Sequence, residues 1–425
     1  MRTTDHHGHE LTGASSAAAD LYVQAIQTYH GYWGQPFPLL SQALADSPGF
    51  VMAHALKGYM TLMGSNVPVR QIGLAAYAAA HPLAATPREA AHVTAVGKIA
   101  AGEFRAAGRI LEDIAIDHPT DVLALQAGQS IDFLVGDTRM LRDRISRVMP
   151  AWSPDMPDFH AILGLQAFGL EETGDYGRAE AAGRRGVELE PRNGWAQHAV
   201  AHVMEMQDRR ADGIAWMNAG EKAWSRNSFF AIHNSWHLAL FHLGLDDIDA
   251  VLALYDGPIY GARSPMMFDM DDAAALLWRL KLRGIDVGDR WTVLADAYAL
   301  HPQGRYAFDD VHALMAFEGA GREAEADAVL VAMIATIDGP GDNAAVTRDV
   351  GLPIAQAIRA YARGAFGEAV ELLRNVRNQA ARFGGSHAQR DVLDLTLIAA
   401  AERSGEGSLA RALRSERALA FQSST

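Results

Sequence analysis

The sequence predicts an all-α fold in which helical hairpins repeat along the chain and stack into a curved or closed α-solenoid. Stretches rich in alanine and leucine place apolar residues at a period near 3.6, whereas the alternating patterns typical of strands are scarce. Hydrophobic residues make up 49% of the 425 residues and charged residues 21%. This is a globular composition, and a chain of this length can bury a large core.

A motif that recurs at close to 34 residues identifies the type of repeat. GDYGRAEAAGRRGVELEP begins at Gly174 and combines a glycine turn, an aromatic residue, a small residue for close helix contact and a closing proline. This order is typical of the second half of a tetratricopeptide repeat. Related segments begin at Gly102 and Gly136, with spacings of 136 − 102 = 34 and 174 − 136 = 38, and another begins at Gly364. Each of these glycines is therefore predicted to lie at the turn of a hairpin.

We predict one tetratricopeptide-like α-solenoid domain of about twelve hairpins over residues 21–425, from a repeat near 34 residues. A flexible N-terminus, residues 1–20, precedes it. That segment contains His6, His7 and His9 but lacks the apolar core of a secretory signal. The three histidines are interpreted as part of a frayed end.

Charge and composition exclude several classes of function. The net charge is −14, from 51 acidic and 37 basic residues. This charge argues against nucleic acid as a partner and disfavours anionic membranes. No run of 18 apolar residues occurs, so no membrane span is expected, and a chain without cysteine has no disulfide or thiolate nucleophile. A cytoplasmic location is expected, and the oligomeric state is left open.

Two histidine pairs mark the candidate functional site. His198 and His202, and then His233 and His237, are each spaced i, i+4, which places both rings of a pair on one helix face. The pairs are also in register, because 233 − 198 and 237 − 202 both equal 35, about one repeat. Glu205 follows His198 by two helical turns. We expect all five side chains to face one cavity between neighbouring helices.

Three interpretations of this group remain open. Imidazole and carboxylate ligands suit Zn, Fe, Mn or Ni, and His198, His202, Glu205 and His237 would be the ligands of such an ion. A divalent metal is possible but not favoured, because the residue after His198 is alanine and the HExxH pattern of zinc proteases is missing. Metal-free acid–base chemistry is the second interpretation. The third is that each histidine is an ordinary core residue with a hydrogen-bond partner.

Longer peptides show a resemblance to a known family. FVMAHA, REAAHVTAV, DHPTDVLAL, HAVAHVMEM, HNSWHLAL, FDDVH, RDVGLP and GGSHAQRDV occur in this order, and they begin at positions 50, 88, 117, 198, 233, 308, 348 and 384. In these peptides the chain resembles the tetratricopeptide repeat protein 38 family, as a bacterial member, over nearly its whole length. The resemblance implies an all-α repeat fold and assigns no settled activity. Asp309 stands where the motif would have asparagine.

The residues in these peptides complete the predicted function. We predict a His-, Asp-, Glu- and Arg-lined concave pocket for a small molecule, with hydrolase or lyase chemistry through histidine; Arg348 and Arg390 are suited to clamp a carboxylate or phosphate. The alternative is a protein–protein interaction scaffold that binds a peptide in the repeat groove. The predicted catalytic residues are His198, His202, Glu205, His237, Asp310 and His312, and the predicted ligand-binding residues are His233, Asn234, Trp236, Arg348, Asp349, Arg390 and Asp391.

Overall fold

The computed structural model describes residues 3–421, and every regular element in this range is helical. The prediction of an all-α helical-repeat fold is confirmed. The α-helices in the described range are α1 (Ser16–Gly31), α2 (Pro36–Asp46), α3 (Val51–Leu62), α4 (Val67–Ala80), α5 (Pro87–Ala100), α6 (Phe104–Asp117), α7 (Val122–Leu134), α8 (Thr138–Ser146), α9 (Phe159–Glu171), α10 (Tyr176–Leu189), α11 (Gly194–Met206), α12 (Arg210–Trp224), α13 (Ala231–Gly244), α14 (Ile248–Leu254), α15 (Met267–Leu282), α16 (Arg290–Tyr298), α17 (Ala307–Gly319), α18 (Glu323–Thr336), α19 (Asp342–Val346), α20 (Leu352–Ala362), α21 (Phe366–Val376), α22 (His387–Arg403) and α23 (Gly407–Ala420).

The glycines of the sequence motif lie at hairpin turns, as predicted. Gly102, Gly136 and Gly174 separate α5 from α6, α7 from α8 and α9 from α10, with φ of 80°, 68° and 83°. Gly364, with φ of 81°, separates α20 from α21. A helix commonly ends with one residue in the left-handed region, and glycine takes that conformation without steric cost.

Aspartate takes the same position after the two helices that carry the histidine pairs. Asp208 follows α11 with φ of 57°, and Asp246 follows α13 with φ of 60°. Aspartate is one of the few residues with a side chain that enters this region, since its carboxylate can hydrogen-bond locally. Hairpins therefore continue through a part of the sequence in which the glycine motif is lost.

The chain divides into two compact units. Unit 1 comprises Met1–Phe133, Asp137–Val203 and Met217–Asn234, and unit 2 comprises Leu134–Gly136, Met204–Trp216 and Ser235–Thr425. A cluster of Leu141, Ala167, Phe168 and Ala199 forms part of the core of unit 1. In unit 2 the buried Trp278 indole donates to the Thr396 hydroxyl over 3.0 Å, which ties α15 to α22.

The first described residues lie against unit 1. The backbone N–H and the hydroxyl of Thr12 donate to the two carboxylate oxygens of Glu89 at 2.8 and 2.6 Å, and the Leu11 side chain is buried. Helix α1 begins at Ser16, so the boundary predicted at residue 20 falls inside a helix. A single domain over residues 21–425 stays a prediction. In residues 3–421 no helix combines the length and apolar character needed to cross a bilayer.

Candidate metal centre

Two helices bring the predicted histidines together. The Nε2 atoms of His202, one turn along α11, and of His233, on α13, lie 2.9 and 3.1 Å from the Nε2 atom of His198. One ring nitrogen from each of these three residues, all in unit 1, can be chosen so that the three lie within 4.8 Å of one another. The 35-residue register therefore places His233 opposite His198. His237 follows His233 by one turn of α13 and belongs to unit 2.

These short contacts between nitrogens are not ordinary hydrogen bonding. One imidazole nitrogen carries either a hydrogen or an in-plane lone pair, so His198 Nε2 cannot make a full hydrogen bond to both His202 and His233. Zinc binds histidine nitrogen at about 2.0–2.1 Å in tetrahedral geometry, which separates two ligand nitrogens by about 3.3 Å. The observed 2.9 and 3.1 Å are within a few tenths of an ångström of that spacing. The three Nε2 atoms are thus arranged as ligands of one ion would be.

The group lies inside the protein. The relative exposures of His198, His202, His233 and His237 are 2%, 0%, 3% and 0%. Aromatic rings pack around His198: Trp195 stacks on it at 4.7 Å between centroids, and Phe168 and Phe230 lie at 5.6 and 5.5 Å. Such surroundings exclude water, so a charge at this point would interact strongly with any nearby group of opposite sign.

Two carboxyl groups of unit 1 lie beside His202. Glu171, the last residue of α9, and Glu172 are both buried, and their carboxylate oxygens form a group with a His202 ring nitrogen within 4.8 Å. The Glu171 Oε2 atom lies 3.5 Å from His202 Nδ1, on the side of the ring opposite the Nε2 atom that meets His198. A histidine bound to a metal through one nitrogen commonly faces a carboxylate with the other.

Glu205 has a different environment from the one expected. It lies at the end of α11, in unit 2, and takes no part in the group of four histidines. Burial and then the charge of Asp391 raise the pKa of Glu205 to about 7, against the opposing effect of Arg210, Arg279 and Arg417. Glu171 rather than Glu205 is therefore the carboxylate at His202.

The remaining predicted residues on α13 contribute to packing. The Asn234 side-chain amide is fully buried and donates to the Gly194 carbonyl over 3.2 Å, which ties the start of α13 to the start of α11. In unit 2, Trp236 is buried, and the Arg279 guanidinium lies 5.4 Å from its ring centroid.

Asp310 and His312 lie on α17 in unit 2, each held by a backbone group. The Asp310 Oδ1 atom accepts the Gly304 N–H over 2.8 Å, and burial raises the pKa of this carboxyl to about 7. His312 Nδ1 donates to the Phe308 carbonyl over 2.8 Å. Burial lowers the pKa of this imidazole to about 4. Neither side chain is the partner of the other.

The two arginine–aspartate pairs lie in unit 2, and only the first forms an ion pair between its own two members. Arg348 contacts Asp349 at 3.1 Å, and Asp349 also accepts from Arg382 at 2.9 Å. The second pair separates: Arg390 donates to the Gly385 carbonyl, and Asp391 accepts two bonds from Arg417 at 2.6 and 2.7 Å. A pocket that these residues share with the histidines stays a prediction.

Sequence reasoning missed the carboxylates at Glu171 and Glu172. Their offsets from His202 are 202 − 171 = 31 and 202 − 172 = 30 residues, both close to one repeat, and this spacing is the signal that could have found them. It also missed a surface cleft of about 390 Å³ in unit 1, lined by Gln24, Thr28, Trp33, Gln35 and neighbouring residues. None of the predicted site residues lines this cleft.

No family model matches the chain. Among solved structures, the chain is similar to the Cut9–Hcn1 hetero-tetramer of the APC/C, with 10% identity and a TM-score of 0.38 over 89% of this chain and 76% of that one. It is also similar to yeast Tom70, with 13% identity and a TM-score of 0.36 over 96% of this chain and 92% of that one.

Proposed function

We propose that this helical-repeat protein holds one divalent transition-metal ion between α11 and α13. His198, His202 and His233, all in unit 1, are its protein ligands. The observation that carries the proposal is the approach of three buried imidazoles to within 4.8 Å of one another. Packing alone does not require three imidazoles to converge through their ring nitrogens, whereas the ligands of one ion must do so.

Zinc is the ion that fits this donor set best. Imidazole nitrogens suit Zn²⁺, which has no geometric preference of its own from d electrons. Imidazole also binds Fe, Ni and Cu, and no calcium or magnesium site is made of nitrogen alone. Glu171 and Glu172 offset the double positive charge and orient the His202 ring.

The same geometry favours a structural role for the ion. A structural zinc site is closed to solvent, whereas a catalytic one keeps a position for water or substrate. Here the three histidines are at most 3% exposed. The proposed ion therefore joins two hairpins of the repeat, and hydrolase or lyase chemistry at these histidines lacks a path for the substrate.

The test is the metal content of protein produced without a histidine tag. We expect His202→Asn to lose one equivalent of metal per chain relative to the wild type, measured by mass spectrometry of the elements. The matched control is His81→Gln, which removes an exposed histidine at the end of α4. Equal metal content in His202→Asn and the wild type, with both proteins folded by circular dichroism, would refute the proposal.

A protein-interaction scaffold is the second proposed function, and the burial of the histidines supports it. A closed metal centre stabilises hairpins without meeting a ligand, which leaves the repeat surface to meet other molecules. Cobalt substitution separates this function from an enzyme. Cobalt is loaded into a His6→Asn/His7→Asn variant, so that the N-terminal histidines do not bind it. Azide added to this cobalt protein should leave its visible spectrum unchanged if the site is closed. A new band would mean that small molecules reach the ion and would favour the enzyme.

A further inference from the structure

A second group of metal-ligand side chains lies at the N-terminal segment, apart from the four histidines. His6 Nε2 and His7 Nε2 both approach one oxygen of Asp158, at 2.5 and 3.2 Å from Oδ2. The three residues belong to unit 1, although 151 and 152 residues separate the histidines from the aspartate. This convergence joins two distant parts of the sequence through groups that are all good ligands for transition metals.

The segment is shaped to present both histidines. Asp5 Oδ1 accepts the N–H groups of His7 and His9, each at 2.9 Å, and Gly8 turns the chain with φ of 87°. An antiparallel bridge between Thr4 and Glu10 closes this turn. Adjacent side chains normally point apart, and the tight turn is what allows two neighbouring histidines to reach the same point.

Two contacts hold the turn against unit 1. The Arg88 guanidinium donates to the Glu10 carbonyl over 3.0 Å, and the His7 ring packs edge-on against Trp152 at 5.1 Å between centroids. The side chains of His7 and Asp158 are 2% and 3% exposed, whereas that of His6 is 16% exposed. The group is thus built into the protein and open to solvent on the His6 side.

Asp158 gives up its usual local role to face these histidines. It precedes α9 at the N-cap position, where an aspartate side chain normally accepts a backbone N–H of the first turn. No such cap bond forms here, and the residue has φ of 62°, in the left-handed region. A residue with a side chain is strained in that region, so another interaction has to offset the lost cap and the backbone strain.

We propose that His6, His7 and Asp158 bind a second divalent transition-metal ion of the zinc class. Two imidazole nitrogens and a carboxylate oxygen are the ligand set of open zinc and iron sites. The 3.2 Å separation between His7 and Asp158 matches two ligands of one tetrahedral zinc, about 3.3 Å apart. His6 is the most exposed of the three, and a small outward swing of its ring opens the 2.5 Å contact to the same spacing. Water fills the remaining position.

This second ion would fasten residues 3–11 to the rest of unit 1. The site differs from the centre formed by His198, His202 and His233 in being open and in containing a carboxylate, and the two share no residue. Loss of one ion leaves the other in place, which makes the two proposals separately testable.

The test is zinc binding to untagged, metal-free protein by calorimetry. We expect the His6→Asn/His7→Asn double variant to bind one zinc fewer than the wild type, with affinity at that site reduced at least 100-fold. His9→Asn is the matched control, because it removes a histidine from the same turn that contacts Thr120 instead. His202→Asn should lose the other ion and keep this one. A double variant that binds zinc as the His9→Asn control does would overturn the proposal.

Hydrogen exchange gives a readout that does not depend on stoichiometry. Zinc should slow exchange of the amides of residues 3–11 in the wild type and not in Asp158→Asn, where asparagine retains the left-handed backbone conformation. Protection that is the same with and without zinc in the wild type would mean that the histidines only hydrogen-bond Asp158, and would also overturn the proposal.

Discussion

The two units arrange their buried polar groups differently. Unit 1 has imidazoles that meet nitrogen to nitrogen, at 2.9 and 3.1 Å around His198. Both units bury carboxyl groups: those of unit 1 include Glu171 and Glu172 beside His202, and those of unit 2 include Asp271 and Asp310. The Tyr298 hydroxyl donates to Asp271 Oδ1 over 2.8 Å, and burial and then the charge of Asp309 raise the pKa of Asp271 well above its usual range.

The two kinds of buried group are stabilised in different ways: a carboxyl group can lose its charge by binding a proton, whereas converging imidazole nitrogens can share a bound cation. A buried carboxyl can take up a proton, and a raised pKa is the sign that it does so. Imidazole nitrogens that converge on one point can all be satisfied by a cation bound between them. The proposed metal therefore belongs with the histidines of unit 1, whereas the carboxyl groups of Asp271 and Asp310 can be neutralised by a proton.

Metal removal should have the largest effect and should act on unit 1. In the His6→Asn/His7→Asn background, EDTA should lower the free energy of unfolding by about 4 kcal/mol, as expected for an ion present at about a thousand times its Kd. Amides of the part of α11 in unit 1, residues 198–203, should exchange faster after EDTA, and those of α15 and α17 should not. Zinc should reverse the change. Exchange that is unaltered in residues 198–203 would contradict the proposal.

The next largest effect is expected from Asp310→Asn in unit 2, and it depends on pH. Burial raises the pKa of this carboxyl from 3.8 to about 7, so the folded state holds a proton that the unfolded state releases. The resulting stability is fully present below about pH 4 and is lost as pH rises through 7. Asparagine keeps an acceptor for the Gly304 N–H and carries no charge. Its stability gain over the wild type should therefore grow from pH 4 to pH 8, to on the order of 3 kcal/mol.

Chemical denaturation at pH 5 and pH 8 measures this gain, and Asp338→Asn, at an exposed aspartate, is the control. A gain that is equal at the two pH values would show that Asp310 does not titrate between them.

The smallest effect is expected from Glu171→Gln, which tests the charge around the histidines. Glutamine retains the size of the side chain and removes the negative charge 3.5 Å from His202 Nδ1. Zinc affinity at the centre formed by His198, His202 and His233 should fall 10- to 100-fold, and the stoichiometry should stay unchanged. This is the usual effect of removing a carboxylate that contacts a metal-binding histidine. Competition with a chelator of known affinity measures the change. Glu180→Gln is the control, because Glu180 pairs with Arg184 on α10 and lies outside the group.

Local periodicity accounts for what could be predicted of this fold. The glycine turns at Gly102, Gly136 and Gly174 depend only on the backbone conformation that ends a helix, and they could be predicted from single positions. The histidine pairs could be predicted because two spacings agree, four residues within a helix and 35 between helices. Where Asp208 and Asp246 replace glycine, the motif fails although the hairpins continue.

Contacts that do not follow the repeat could not be predicted in this way. Glu171 reaches His202 from the end of the preceding hairpin, at 31 residues rather than 35. Asp158 meets His6 across 152 residues because a tight turn redirects the chain, and no periodicity encodes that meeting. The N-terminal histidines were therefore interpreted as a frayed end.

The 35-residue register of the histidines also bears on cooperativity. In a linear array of hairpins, stability is the sum of what each repeat contributes and of coupling terms between neighbours. An ion held by histidines from two successive repeats adds to the coupling term between those two repeats and to no other. Metal supply would then decide whether local unfolding that starts in one hairpin stops there or spreads to the next. The proposed centre would in this way set how many hairpins unfold together.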